Sequence, residues 1–126
     1  MKRIALFLVL VFSLALVACS SGAKEVDDYI KLREEIILEM GKKIEANPTV
    51  AGVDEARKVY ESKKDAMKTS CDAVSSQKLS SDQTTKFINS SATFQQMFEL
   101  IESKIKDVDA NLKFTALIND FNKTCK

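Results

Sequence analysis

The sequence of 126 residues contains no histidine and no tryptophan, one proline, three glycines and three cysteines. Without histidine it lacks the commonest general base and the commonest metal ligand. It also cannot carry the Glu-x-x-His pattern of di-iron helical bundles. No P-loop, dinucleotide fingerprint or EF-hand loop is present, and Cys71 and Cys125 are too far apart for a C-x-x-C redox pair. Strand signals are missing too, since no alternating apolar–polar run of useful length occurs. Charge of one sign is also lacking: 19 Lys and Arg stand against 18 Asp and Glu. Such a chain offers no basic field to grip nucleic acid. No catalytic residue, no metal ligand and no cofactor is expected, and the chain is not expected to be an enzyme.

What the sequence does have begins with an apolar run. Lys2 and Arg3 precede Ile4 to Ala18, apolar except for Ser13 and shorter than the roughly 20 residues that span a bilayer. The run closes on Leu16-Val17-Ala18-Cys19. This order of basic, apolar and small residues before a cysteine resembles the lipobox leader of bacterial lipoproteins. The resemblance covers the first 19 or so residues. It implies a signal peptide over residues 1–18, a diacylglyceryl group on the Cys19 thiol, cleavage before Cys19 and acylation of the new N-terminus. Two or three acyl chains hold a protein stably on a membrane. Residues 19–23 then form the lipidated cysteine and a small, polar, flexible tether. Ser20 is not aspartate, which by the same resemblance implies the outer membrane, facing the periplasm. Lys2 and Arg3 leave with the leader, so the remainder holds 17 basic against 18 acidic residues.

Residues 24–126 read as one all-α domain. A first helix is expected over Lys24 to Ala46, with Val26, Ile30, Ile37, Met40 and Ile44 on one face and Tyr29 and Ile36 alongside. Asp27 and Asp28 in its first turn and Lys42 and Lys43 in its last suit the helix dipole. Asn47-Pro48 ends it. A second helix is expected after Gly52, with Asp54 near its N-cap and Val53, Tyr60, Met67 and Val74 recurring every seven residues. Ala56, Val59, Ala66, Ser70 and Ala73 widen that stripe, and Lys63 interrupts it with its stem along the edge. Ser75 to Ser81 reads as a turn, and Ser80 with Gln83 has capping-box spacing.

The third helix carries two series, Phe87, Phe94, Ile101, Val108 and Ser91, Phe98, Ile105, Leu112, as in a coiled-coil seam. Ser91 leaves room there for a neighbouring aromatic or for a shallow cavity. The register then changes at Asp109-Ala110-Asn111, and Phe114, Leu117, Ile118, Phe121 and Cys125 form a new stripe. With Cys19 lipidated, Cys71 and Cys125 remain as an even pair in an exported chain, which reads as a disulfide. An unbroken helix from Asp82 to Lys126 would run about 65 Å and hold those cysteines far apart. A reversal near Asn111 brings them to one level. The expected fold is therefore a small antiparallel helical bundle of three long helices plus a short C-terminal helix, preceded by the signal peptide.

Other constellations are weaker. Glu35 with Glu39, and Glu99 with Glu102, share helix faces as solvated carboxylates. Ser70 and Lys64 could be drawn as a nucleophile and base only because both residue types are abundant. Lys126 gives a resemblance to the major outer-membrane lipoprotein of enteric bacteria, which is helical, heptad-patterned and joined to peptidoglycan through a terminal lysine. This chain is longer, lacks the Tyr-Arg before that lysine and has Cys125 there instead. The leading expectation is a non-enzymatic, lipid-anchored helical bundle that binds a protein partner in the periplasm. Its rival is a small-ligand carrier or enzyme with an interhelical pocket. A filled core favours the first; a cavity lined by convergent polar groups favours the second.

Overall fold

A computed structural model describes residues 23–125 of the chain. Residues 1–22, with Cys19, Ser20 and the expected cleavage boundary, lie outside the described residues, as does Lys126. Four helices follow one another: α1 (Ala23–Ala46), α2 (Val50–Ser75), α3 (Ser81–Glu102) and α4 (Val108–Lys123). The all-α bundle expected from the sequence is what forms. Among the described residues no helix is long and apolar enough to cross a membrane.

The apolar periodicity explains what is buried. In α1, Val26, Tyr29, Ile36, Ile37, Met40 and Ile44 face inward, fully buried. In α2 the seven-residue series Val53, Tyr60, Met67 and Val74 is buried together with Ala56 and Cys71. Lys63 lies at the edge, half-buried, and reaches Glu39 of α1 at 3.6 Å. Most helical stability in a protein comes from packing an amphipathic face, so this shared core is what holds the helices. The expected capping box is present: Ser80 Oγ accepts from the Gln83 N–H at 3.2 Å, and Gln83 Oε1 accepts from the Ser80 N–H at 2.8 Å.

Two boundaries differ from the sequence expectation. The second helix begins at Val50 with Thr49 as N-cap, not after Gly52, and Asp54 is an exposed residue inside it. The turn from α1 doubles back tightly: Asn47 N–H bonds the Lys43 and Ile44 carbonyls, and Thr49 N–H bonds the Asn47 carbonyl. A Cβ on Gly52 would stand 1.6 Å from the Asn47 carbonyl oxygen. Gly52 is thus a point of close backbone approach, not the start of the helix.

The second difference is the reversal, which falls at residues 103–107 and not at Asn111. Asp107 takes the N-cap and its Oδ1 accepts from the Ala110 N–H at 2.9 Å, so a new helix starts there. The inward stripe of α4 becomes Ala110, Phe114, Leu117 and Phe121. Val108 and Leu112, read as continuing the seam, are 73% and 66% exposed. Ser91 is also exposed, its hydroxyl bonded to the Phe87 carbonyl, while Phe94, Phe98 and Ile105 are buried.

Consecutive helices run antiparallel, but neighbours across the bundle run parallel. Lys86 pairs with Asp27 and Lys104 with Glu45, joining α3 to α1, while Lys113 pairs with Asp54, joining α4 to α2. All three pairs have the same sequence separation, 59. Each hairpin therefore lies beside the other in the same orientation, and α2 and α3 occupy opposite corners. The molecule has a near end, with residue 23, the 76–80 connection and Cys125, and a far end, with residues 47–49 and 103–107.

Candidate functional site

Two places stand out, one at each end. The first is a closed polar–aromatic cluster about Arg33, towards the near end. The Arg33 side chain leaves α1 on its buried face and is only 8% exposed. Its guanidinium carbon lies 4.6, 4.9 and 5.4 Å from the ring centroids of Phe121, Phe94 and Tyr29. Such stacking stabilises a desolvated guanidinium by π attraction. Its nitrogens donate to Tyr29 Oη at 2.8 Å and to Asn122 Oδ1 at 3.2 Å, and Nε has no partner among the described residues. Among the described residues no carboxylate pairs with Arg33.

The cluster continues into the thiols. Tyr29 Oη donates to Cys125 Sγ at 3.1 Å, and the Tyr29 ring stacks on Phe87 with centroids 5.3 Å apart. Cys71 Sγ donates to the Cys125 carbonyl at 3.8 Å. The expected Cys71–Cys125 disulfide does not form: both are free thiols. The hairpin does bring them to one end, as the sequence requires. However, Cys125 lies beyond α4 in a final turn, with its sulfur aimed at the Tyr29 hydroxyl and its carbonyl at Cys71. Burial foremost, and then the Cys125 thiol, push the Cys71 pKa up to about 12. Burial likewise pushes Tyr29 well above its ordinary range, partly opposed by Arg33. Neither group is a nucleophile near neutrality.

Tyr60, beneath, donates to the Asp120 carbonyl at 3.1 Å and shares a 2.6 Å hydrogen bond with the Thr124 hydroxyl. The Tyr60 ring lies tilted against Phe121, and Phe98 packs edge to face with both Phe121 and Phe114. Sequence reading missed Arg33 as a buried residue. The signal was there, since Arg33 falls one turn from Tyr29 and Ile37 on the apolar face of α1.

The second place is an open groove between α1 and α3 at the far end, about 320 Å³ in volume. Its walls are Ile37, Leu38, Gly41, Met97, Leu100 and Ile101. Leu38 is 49% exposed and Leu100 is 63% exposed. Gly41 sets the depth: a Cβ there would stand 3.1 Å from Ile101 Cδ1. The rim carries Lys42, Glu45 and Lys104. Glu45 and Lys104 pair at 2.9 Å, which leaves Lys42 as the net charge. The sequence hinted at this face only through Leu38 and Leu100, which lie off the core stripes.

The remaining sequence candidates stay apart. Glu39 is bound to Lys63, and Glu99 accepts from Gln95 at 3.4 Å. Ser70 is half-buried and Lys64 exposed, and no hydrogen bond joins them among the described residues. The polar run Asn89-Ser90 borders a shallow recess with Glu34, Lys86, Thr93 and Phe94, about 250 Å³ in volume, and Ser91 takes no part in it. Among the described residues no three Asp, Glu or Cys side chains converge as a metal site would need. Compared with known proteins, the chain matches no protein-family model, no curated protein sequence and no solved structure.

Proposed function

We propose that this chain is a lipid-anchored cell-envelope lipoprotein whose helical bundle binds a protein partner in the periplasm without catalysing a reaction. The observation that carries the reading is where the apolar surface lies. Among the described residues, the exposed large apolar side chains Leu38, Leu100, Val108 and Leu112 belong to the far half and Ile88 to the near half. Contiguous apolar exposure marks interaction surfaces, and Leu38 and Leu100 line one groove. An anchor at Cys19 puts the near end by the membrane and turns the far end outward. The rival carrier or enzyme needs convergent polar groups in a pocket, whereas the groove walls are apolar.

The anchor is tested by mass and fractionation. The processed protein should weigh as residues 19–126 plus lipid and sediment with the outer membrane, and Cys19→Ala should stay unprocessed or become soluble. A Cys19→Ala protein that remains processed and membrane-bound removes the anchor from the reading. Binding is tested in living cells by a photoreactive residue at position 100, 108 or 88. Discrete adducts from positions 100 and 108 but not from 88 support far-end docking; adducts from none of them, or from 88 alone, defeat it.

A further inference from the structure

Resting on that reading, and naming the partner's chemistry, we infer that the α1–α3 groove receives two turns of an amphipathic helix with an acidic flank. Three observations lead there. The first is shape. From Ile37 to Glu45 on α1 and from Met97 to Lys104 on α3, the groove runs over eight and seven residues, about 12 and 10.5 Å at the helical rise. An incoming helix that anchors through apolar residues at i, i+3 or i+4 and i+7 covers about that length.

The second is openness. A small ligand is normally enclosed on most of its surface and fixed by a few polar groups aimed inward. This trench is open along one side, and its polar groups stand only at the rim. A helix that buries one face and leaves the other in water fits such a trench. Gly41 lowers the floor between Leu38 and Lys42, so a branched or long apolar side chain can seat against Ile101 and Met97. Met97 can adapt its shape to that chain.

The third is charge. Lys104 is already neutralised by Glu45, so Lys42 is the rim ammonium without an ion pair among the described residues. A carboxylate on the flank of the incoming helix would meet it. The chain's own leading segment is a poor occupant. Gly41 lies 18 residues along α1 from Ala23, about 27 Å, and the four residues from Cys19 to Gly22 extend at most about 14 Å.

The test uses the processed chain as purified from cells, in lipid nanodiscs, with stapled 14-residue peptide helices as probes. One peptide carries leucines at i, i+4 and i+7 with glutamates on one flank; a second has lysines on that flank; a third has the leucines scrambled. Backbone amide shifts should move at Leu38, Gly41 and Leu100 with the acidic peptide. Its affinity, read by fluorescence anisotropy, should exceed that of the lysine peptide by about fivefold, the scale of one exposed charge pair. Lys42→Glu should reverse this order, and Leu100→Glu should weaken both peptides at least tenfold while the circular dichroism melt is unchanged. Equal binding of the two flanks, binding of the scrambled peptide, or shifts elsewhere on the bundle would overturn the inference. So would saturation of the groove by decanoate with no peptide binding, or by a second copy of the chain, seen as concentration-dependent sedimentation. Failure of these arms with a Cys19-anchored protein leaves the anchor standing and removes only the groove.

Discussion

The same two helices, α1 and α3, meet through stacked side chains in the near half, leaving a shallow recess of about 250 Å³ with polar borders, and leave an apolar groove of about 320 Å³ in the far half. In the near half, large side chains reach across from both: Tyr29 and Arg33 from α1 meet Phe87 and Phe94 from α3, and Phe121 of α4 completes the layer. In the far half, Ile101 of α3 packs directly onto Gly41 of α1, and an apolar trench remains beside that contact. The difference teaches that side-chain volume, not helix placement, decides where this bundle is sealed. The near half pairs Tyr29, Arg33, Asn122 and Cys125 with one another, whereas the far half leaves Leu38 and Leu100 exposed.

The largest test of that comparison is Phe121→Ala. Phe121 is fully buried and touches Arg33, Tyr60 and Phe98. Its loss should cost about 3–5 kcal/mol in urea unfolding. A cost below 1 kcal/mol would mean that the near half is not packed as described. Next comes Arg33. Arg33→Ala should cost about 2–3 kcal/mol, because it removes both the stem packing and the stacking on three rings. Arg33→Met keeps most of the volume and removes an uncompensated buried charge, so it should cost about 1 kcal/mol or less. Equal costs for the two would show that the charge itself, not the fill, holds the cluster.

A third test uses pH. The Cys71 thiol has an ordinary pKa of 9.0, raised on folding to about 12. Between those values the unfolded chain releases a proton that the folded chain keeps, so stability contributed below pH 9 is lost as pH rises through that window. Tyr29, also raised, adds a loss in the same direction above its ordinary 10.0. The urea midpoint should therefore fall from pH 8 to pH 11 more steeply in the parent than in Cys71→Ala or Tyr29→Phe. Parallel slopes in all three would place these groups in water. The smallest effect belongs to the open half. Val108→Ser, at a 73% exposed position, should change stability by less than about 0.5 kcal/mol. A larger loss would mean that Val108 is covered in the isolated protein.

Much of this fold was legible because helical burial has a period. Tyr60, Met67 and Val74, or Phe114, Leu117 and Phe121, announce their faces without help. The Ser80–Gln83 box was legible because both halves of a local hydrogen-bond pair are visible in four letters. What misled was a period that continued by coincidence. Val108 and Leu112 extend the series of Phe94 and Phe98, but the Asp107 side chain caps a fresh helix and rotates them into solvent. Gly52 misled for another reason: its role depends on the Asn47 carbonyl, a contact that no propensity encodes. The cysteine pair was rightly brought to one end, but the last turn decides where a sulfur points, and it turned Cys125 toward Tyr29. Arg33 was overlooked because a charge is ordinarily read as surface, and only the three rings around it make burial tolerable.

The parallel pairing of α1 with α3 and of α2 with α4, marked by three ion pairs each 59 residues apart, sets the order in which this domain can come apart. Two hairpins lying side by side in one orientation form the shortest array of stacked helical units: two units and a single interface. Long arrays of that kind unravel from an end, one unit at a time, because each unit has a neighbour left to lean on. Here neither unit has a second neighbour. Tyr29, Arg33 and Ile37 on one hairpin and Phe94, Phe98 and Phe121 on the other have nowhere else to hide. Loss of the single interface strips both hairpins at once, so unfolding should be one cooperative transition, with helicity and aromatic environment disappearing together.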